Sequence, residues 1–282
     1  MEFLRQQPRL SFRYGGRELE QAATDTQVTQ EGMRLITRYS LGEGVTVTNI
    51  ALKWEEYGAY EWVTWFENTG QQNSAVFSEI CDGDAVFPFE RDVRPKSLAW
   101  LPTGVMTRIY NPKGSVWTRD EFTCEAARGD SVSLRETCLF PGDCRSYAPS
   151  GGRSSQTRAP FFDINREDAG VLLAVGWTGQ WQCTVSRDEA VVRIRTGIEG
   201  ARFYLRPHEK LRTSSVVVMP YADGQRMAHN RWRRMLRERY SLIGQPGREP
   251  YAPLSQMIWG CVSSEELIRR IRATAEQQLG YE

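Results

Sequence analysis

The sequence predicts an all-β fold of two large antiparallel sheets packed face to face, followed by a closing helix, a linker and one strand–helix unit. Three observations carry this. From Gly32 to about Met219 the chain is a series of short, apolar-alternating segments separated by turn residues. After Pro220 the apolar period lengthens to that of a helix. The last thirty residues, "PLSQMIWGCVSSEELIRRIRATAEQQLGYE", read as a buried strand, a tight turn and an amphipathic helix.

Taken in order, "VTVTNIALKWEE" sets Val45, Val47, Asn49 and Ala51 on one face and Thr46, Thr48, Ile50 and Leu52 on the other. "EWVTWFENTG" continues the pattern and stops at Asn68-Thr69-Gly70, a turn signal. Further strands are expected at "SAVFSEI", "SVSLRETCLF", "GVLLAVGW", "WQCTVSR", "AVVRIRTGI", "ARFYLR" and "LRTSSVVVMP". So many strands in fewer than 200 residues suit a sandwich. Between them, "SYAPSGGRSSQTRA" (146–159) is a polar Gly/Ser/Arg-rich loop, of the kind that either serves a site or simply connects strands.

Beyond Pro220, Asp223 is placed to cap a helix with Ala228, Trp232, Met235, Leu236 and Tyr240 on one face and four arginines elsewhere. "IGQPGREPYAP" reads as a linker. Leu254 to Trp259 is then a strand, and Ser263-Ser264-Glu265-Glu266 a capping box, with Leu267, Ile271, Ala275 and Leu279 as the apolar stripe of the last helix. The expected domains are 1–242 and 243–282. A lone strand–helix pair cannot bury both faces of its strand, so the unit calls for a partner that completes it.

Composition narrows the function. Thirty-six basic and thirty-five acidic residues leave a formal charge of +1, which argues against nucleic-acid binding through phosphate neutralisation. No apolar run approaches the roughly 18–20 residues that a membrane helix needs. The N-terminal "MEFLRQQPRL" has no secretory pattern, and the six cysteines form no C-x-x-C pair, so a reducing cytoplasm is the expected compartment. Nine tryptophans and eleven tyrosines suit either sugar stacking or a sandwich core.

No G-x-S-x-G, H-E-x-x-H or phosphate-cradling glycine loop is present, so neither a catalytic residue, a metal nor a cofactor is expected. His208, in "RPHEK", and His229, on the basic helix, read as structural. "GVLLAVGWTGQWQC" instead places Trp177, Gln180 and Trp181 around a glycine turn. These residues either plug the sandwich or form a rim offered to a sugar or a partner domain.

The blocks "SGGRSS", "APFFDI", "GVLLAVGWTGQW", "GIEGARFYLRPHEKLRT" and "HNRWRR", in that order, resemble the N-terminal β-supersandwich domain of melibiase-type α-galactosidases, glycoside hydrolase family thirty-six. "EWVTWFENTG" and "KGSVWTRDEF" resemble earlier blocks, and the final thirty residues resemble the first strand and helix of that family's catalytic (β/α)₈ barrel. The resemblance implies a parent activity of retaining α-galactoside hydrolysis, with both catalytic aspartates on barrel strands that follow the last residue here. It also implies Trp259, at the end of the first barrel strand, as a galactose-binding residue. The sequence departs from the family at Pro207-His208-Glu209, where Pro-Gly-Glu is usual, and at Thr213-Ser214, where Thr-Pro is usual. Three readings stay open: a truncated hydrolase silent by itself, a carbohydrate-binding module, or one half of a split enzyme. The expected partners are an α-galactoside and the missing barrel, with a homo-oligomer compatible and nucleic acid and membrane excluded.

Overall fold

The computed structural model describes residues 1–88, 107–115, 138–166, 168–188, 190–241, 243 and 263–277. The chain divides into two compact units, Met1–Trp232 and Arg233–Glu282. The division falls inside the basic helix, ten residues before the boundary expected from the linker composition.

The first unit is built on antiparallel sheets. Its strands, in chain order, are β1 (Ser11–Tyr14), β2 (Arg17–Glu18), β3 (Asp25–Glu31), β4 (Arg34–Ser40), β5 (Val45–Trp54), β6 (Ala59–Asn68), β7 (Phe77–Cys81) and β8 (Gly83–Pro88), then β9 (Thr107–Tyr110), β10 (Cys138–Leu139), β11 (Cys144–Tyr147), β12 (Phe161–Arg166), β13 (Ala169–Gly176), β14 (Trp181–Arg187), β15 (Val191–Ile198) and β16 (Lys210–Tyr221). Nine of them form one sheet in the order β10-β9-β12-β13-β16-β6-β5-β4-β3. A four-stranded sheet, β11-β14-β15-β8, and a three-stranded one, β2-β1-β7, complete the unit.

Side-chain alternation explains how they stack. On β5, Val45, Val47, Asn49 and Ala51 are buried, the face the sequence predicts. On β6 the buried residues are Ala59, Trp62, Thr64, Phe66 and Asn68. Ala51 and Trp62 join Trp181, Val185 and Ile194 of the four-stranded sheet in one core. Val45, Val47 and Phe66 join Phe12 and Phe77 of the three-stranded sheet in a second. One face of the large sheet is thus covered by two smaller sheets, and the chain steps from one cover to the other at Asp82, between β7 and β8. Burying a side chain of this size stabilises by roughly 1.5–3 kcal/mol.

Several expectations need correction. "ARFYLR" makes only an isolated bridge, Phe203 with Phe77, because Leu205 turns into the second core instead of extending a ladder. The polar loop begins after Tyr147, since Ser146 and Tyr147 pair with Thr184 and Cys183 in β11–β14. Of "SVSLRETCLF", residues 131–137 lie outside the described residues, and Cys138–Leu139 form β10. Strand β3 escapes a period-two reading because all seven of its residues are exposed. It ends the large sheet among the described residues.

Helix α1 (Glu2–Gln6) and helix α2 (Leu19–Ala22) flank β1 and β2. Helix α3 (Gln225–Met235) buries Ala228, Trp232 and Met235, whereas Tyr240, the last residue of a π turn at Leu236–Tyr240 that rotates the expected stripe, is exposed. Asp223 is ion-paired with Arg231. In the second unit, helix α4 (Ser264–Glu276) forms as predicted, with Ser263 Oγ accepting from Glu266 N at 3.3 Å. The other half of the capping box is replaced: the Glu266 carboxylate accepts from Arg269 and Arg270, which hold it down to about 2. The strand expected at 254–259, and with it the start of a barrel, lies outside the described residues. No described helix is long and apolar enough to cross a membrane.

Candidate functional site

The segment 149–158 docks onto the turn that joins β13 to β14. Gln180 is the clamp: its Oε1 accepts from Gly152 N at 2.9 Å and its Nε2 donates to the Pro149 carbonyl. Ser154 N donates to the Thr178 carbonyl at 3.1 Å, and Trp181 Nε1 donates to the Ser154 carbonyl at 2.7 Å. A third segment, 111–115, closes the other side, where Ser115 N donates to the Ser155 carbonyl at 2.6 Å and Gly114 N to the Thr157 carbonyl at 3.0 Å. Buried Asn111 donates to the carbonyls of Ala159 and Phe161, both at 2.8 Å.

Glycine makes this approach possible. A Cβ at Gly114 would stand 1.9 Å from the Ser155 carbonyl oxygen, and one at Gly151 would stand 2.2 Å from Gln156 Oε1. Thr157, at φ 64, takes the left-handed conformation beside them. The surface so assembled carries Lys113, Arg153 and Arg158, the last lying 6.0 Å from the centre of the Tyr147 ring. Segment 149–158 contains no carboxylate.

The two indoles part company here. Trp181 is 0% exposed and packs edge-on against Phe162 at 5.8 Å, so its place is the core and the rim expectation is corrected for it. It plugs the sandwich because β14 alternates, turning Trp181, Cys183 and Val185 inward. Trp177 is half-buried, and a Cβ at Gly179 would lie 3.0 Å from its Nε1, so the indole folds over that glycine. Of the three turn residues, Trp177 and Gln180 reach the surface. Trp259 lies outside the described residues.

Polar groups unforeseen in the sequence gather elsewhere in the same unit. Asp163, buried on β12, accepts from Tyr221 Oη and Gln225 Nε2 at 2.8 Å each, with His229 Nε2 also at 2.8 Å. Burial and then the Asp163 charge push the Tyr221 hydroxyl up. His229 is therefore structural through a partner 66 residues away, a separation that hides it from local reading. Asp82 accepts from Ser214 N at 3.1 Å and from Ser214 Oγ. Burial raises its carboxyl to about 6, with the Ser214 and Thr213 hydrogen bonds pulling the other way. Asp84 holds Arg193 through two 2.7 Å bonds.

No protein-family model matches the sequence, and no curated protein does. Solved structures do. An α-galactosidase from Lactobacillus brevis superposes with a TM-score of 0.54 at 12% identity, over 81% of this chain and 28% of that one. The glycoside hydrolase family thirty-six α-galactosidase AgaB from Geobacillus stearothermophilus gives 0.54 at 17% identity, over 96% of this chain and 35% of its own. A substituted form of AgaA from the same organism, solved in complex with raffinose, gives 0.54 at 17%, over 95% and 35%. The chain has the fold of part of these α-galactosidases. It spans about a third of their length.

Within that α-galactosidase fold, both departures noted in the sequence have a local account. His208 sits at φ 61, the conformation that glycine takes without strain, behind Pro207 and with Glu209 N donating to the Arg206 carbonyl at 3.1 Å. That is the pattern of a type II turn, kept with histidine at the position glycine prefers. Ser214 supplies an N–H to Asp82, which proline could not do.

Proposed function

We propose that this chain is the non-catalytic, N-terminal part of an α-galactosidase-type glycoside hydrolase, silent by itself, that works beside a catalytic barrel. The single observation that supports this most strongly is the fold likeness over nine-tenths of the chain to enzymes three times as long. In the retaining mechanism one carboxylate attacks the anomeric carbon while the other protonates the leaving oxygen, and the pair must stand about 5–5.5 Å apart. That pair would come from the barrel, on the same polypeptide or on a second chain. Residues 243–282 would open the barrel, with Trp259 against the galactose. Trp177, Gln180 and the 149–158 loop would form the face turned toward it. The cytoplasm suits Cys81, Cys138, Cys144 and Cys183, all free thiols.

The test is hydrolysis of an aryl α-galactoside. The chain alone should give no turnover at high concentration, and co-expression with a family barrel should restore it, with Trp177→Ser lowering the restored rate. Turnover that follows the lone chain through purification would overturn the reading. A second reading, a carbohydrate-binding module, is favoured by the half-exposed Trp177 indole. Binding of galactosides to the lone chain, lost in Trp177→Ser, would select it.

A further inference from the structure

A second region of the first unit has the makings of a ligand site, independent of the hydrolase reading. A cleft of about 640 Å³ opens between the N-terminal segment and the β3–β4 hairpin, lined in part by Arg5, Arg9, Glu20, Asp25, Thr37 and Tyr39. That volume falls within the roughly 300–1,000 Å³ of small-molecule sites.

Arg9 is the unusual member. It is 5% exposed, and the partners of its guanidinium are all neutral: Asn49 Oδ1 at 3.0 Å, Thr37 Oγ1 at 2.7 Å and the Leu4 carbonyl. Among the described residues no carboxylate is within ion-pair distance of it. A buried cation ordinarily has a counter-charge, because desolvating it without one is unfavourable by several kcal/mol. Its backbone is also held at φ 61, a second unfavourable feature at the same residue. Three bonds use three of the five guanidinium N–H groups, leaving two for another acceptor. Arg5 brings a second positive charge to the rim of the cleft and Glu20 and Asp25 bring two negative ones; all three are exposed and screened by water, so the buried Arg9 is the charge that dominates the floor. Burial lowers the Arg9 pKa from its ordinary value, and the Arg5 charge adds to that, so a bound anion would relieve both.

We propose that this cleft binds the oxyanion of a small hydroxylated ligand, a carboxylate or a phosphate, with Arg9 beneath it and Arg5 at its rim. The planar guanidinium suits either oxyanion, and Thr37 and Tyr39 offer hydroxyl partners for the remainder of the ligand.

Thermal melting of the full chain at constant ionic strength tests this, with galacturonate, inorganic phosphate and neutral galactose as probes. Galacturonate or phosphate should raise the melting temperature saturably while galactose does not, and whichever acts identifies the oxyanion. Arg5→Ala, an exposed change that leaves the fold intact, should weaken that binding about tenfold, the scale of one charge-assisted contact. Arg9→Lys, which keeps the charge and loses the fork, should abolish it; if that variant does not fold, Arg5→Ala decides. No saturable shift, an equal shift with galactose, or unchanged affinity in Arg5→Ala would each overturn the proposal.

Discussion

The core around Trp181 and the surface around Trp177 lie four residues apart in sequence and are built by different means. In the core, position is set by side chains: β14 alternates, so Trp181 faces inward with Val185 and is wholly buried. At the surface, position is set by backbone: 111–115, 149–158 and 177–180 approach one another because Gly114, Gly151 and Gly179 leave room and Gln180 bridges the gap. The lesson is that an aromatic pair flanking one turn need not share a role. Period decides the inner residue, and the glycines decide the outer.

The sharpest way to break this contrast is to truncate each indole and compare denaturant midpoints. Trp181→Ser should destabilise by about 3–5 kcal/mol, as core aromatic losses do, and Trp177→Ser by under about 1 kcal/mol. Equal effects would end the distinction.

A buried charge sharpens it from the core side. Asp82 titrates near 6 in the folded protein against 3.8 as its ordinary value, so the native state holds the proton more tightly than the unfolded chain. Its contribution is then greatest below about pH 4, falls as the pH rises through 6, and is flat above that. Asp82→Asn should remove this slope and leave the protein more stable at pH 7 by about 3 kcal/mol. Urea titrations from pH 4 to 7 read it directly; an unchanged slope would show that Asp82 is not its source.

At the surface, Gly151→Ala should cost about 1 kcal/mol, because the obstructing atom belongs to the Gln156 side chain and can move. Faster proteolysis confined to 149–158, with the melting of the core unchanged, would be its sign. The smallest effect is expected at His208→Gly, which relieves a left-handed histidine and should stabilise by about 0.5 kcal/mol in the same midpoint assay, once the greater freedom of glycine in the unfolded chain is subtracted.

What the sequence discloses follows the same division. Strands β5, β6, β13, β14, β15 and β16 were legible because one or both faces are buried and their residues announce it. The exposed β3 and the two-residue β2 and β10 carry no such pattern. Helix α4 was legible from Ser263, yet the pairing of Glu266 with Arg269 and Arg270 was a competition between local partners that spacing alone does not decide. Of the candidate site, the loop and the turn could each be picked out, but the clamp between Gly152 and Gln180 spans 28 residues and exists only once β11 and β14 pair. The Arg9 cleft gave no motif at all: its parts are a lone arginine, a threonine and an asparagine on separate elements.

The wholly exposed β3 raises a question of self-recognition. Among the described residues no strand pairs with its outer edge, and a strand edge left open is a template on which a second copy could add its own. In an antiparallel pairing centred on Val28, Asp25 of each copy would stand opposite Glu31 of the other, twice over. Like charges facing each other across a ladder repel. The two acids thus guard the ends of an otherwise neutral edge, and replacing both with their amides would turn a solubility device into a seam.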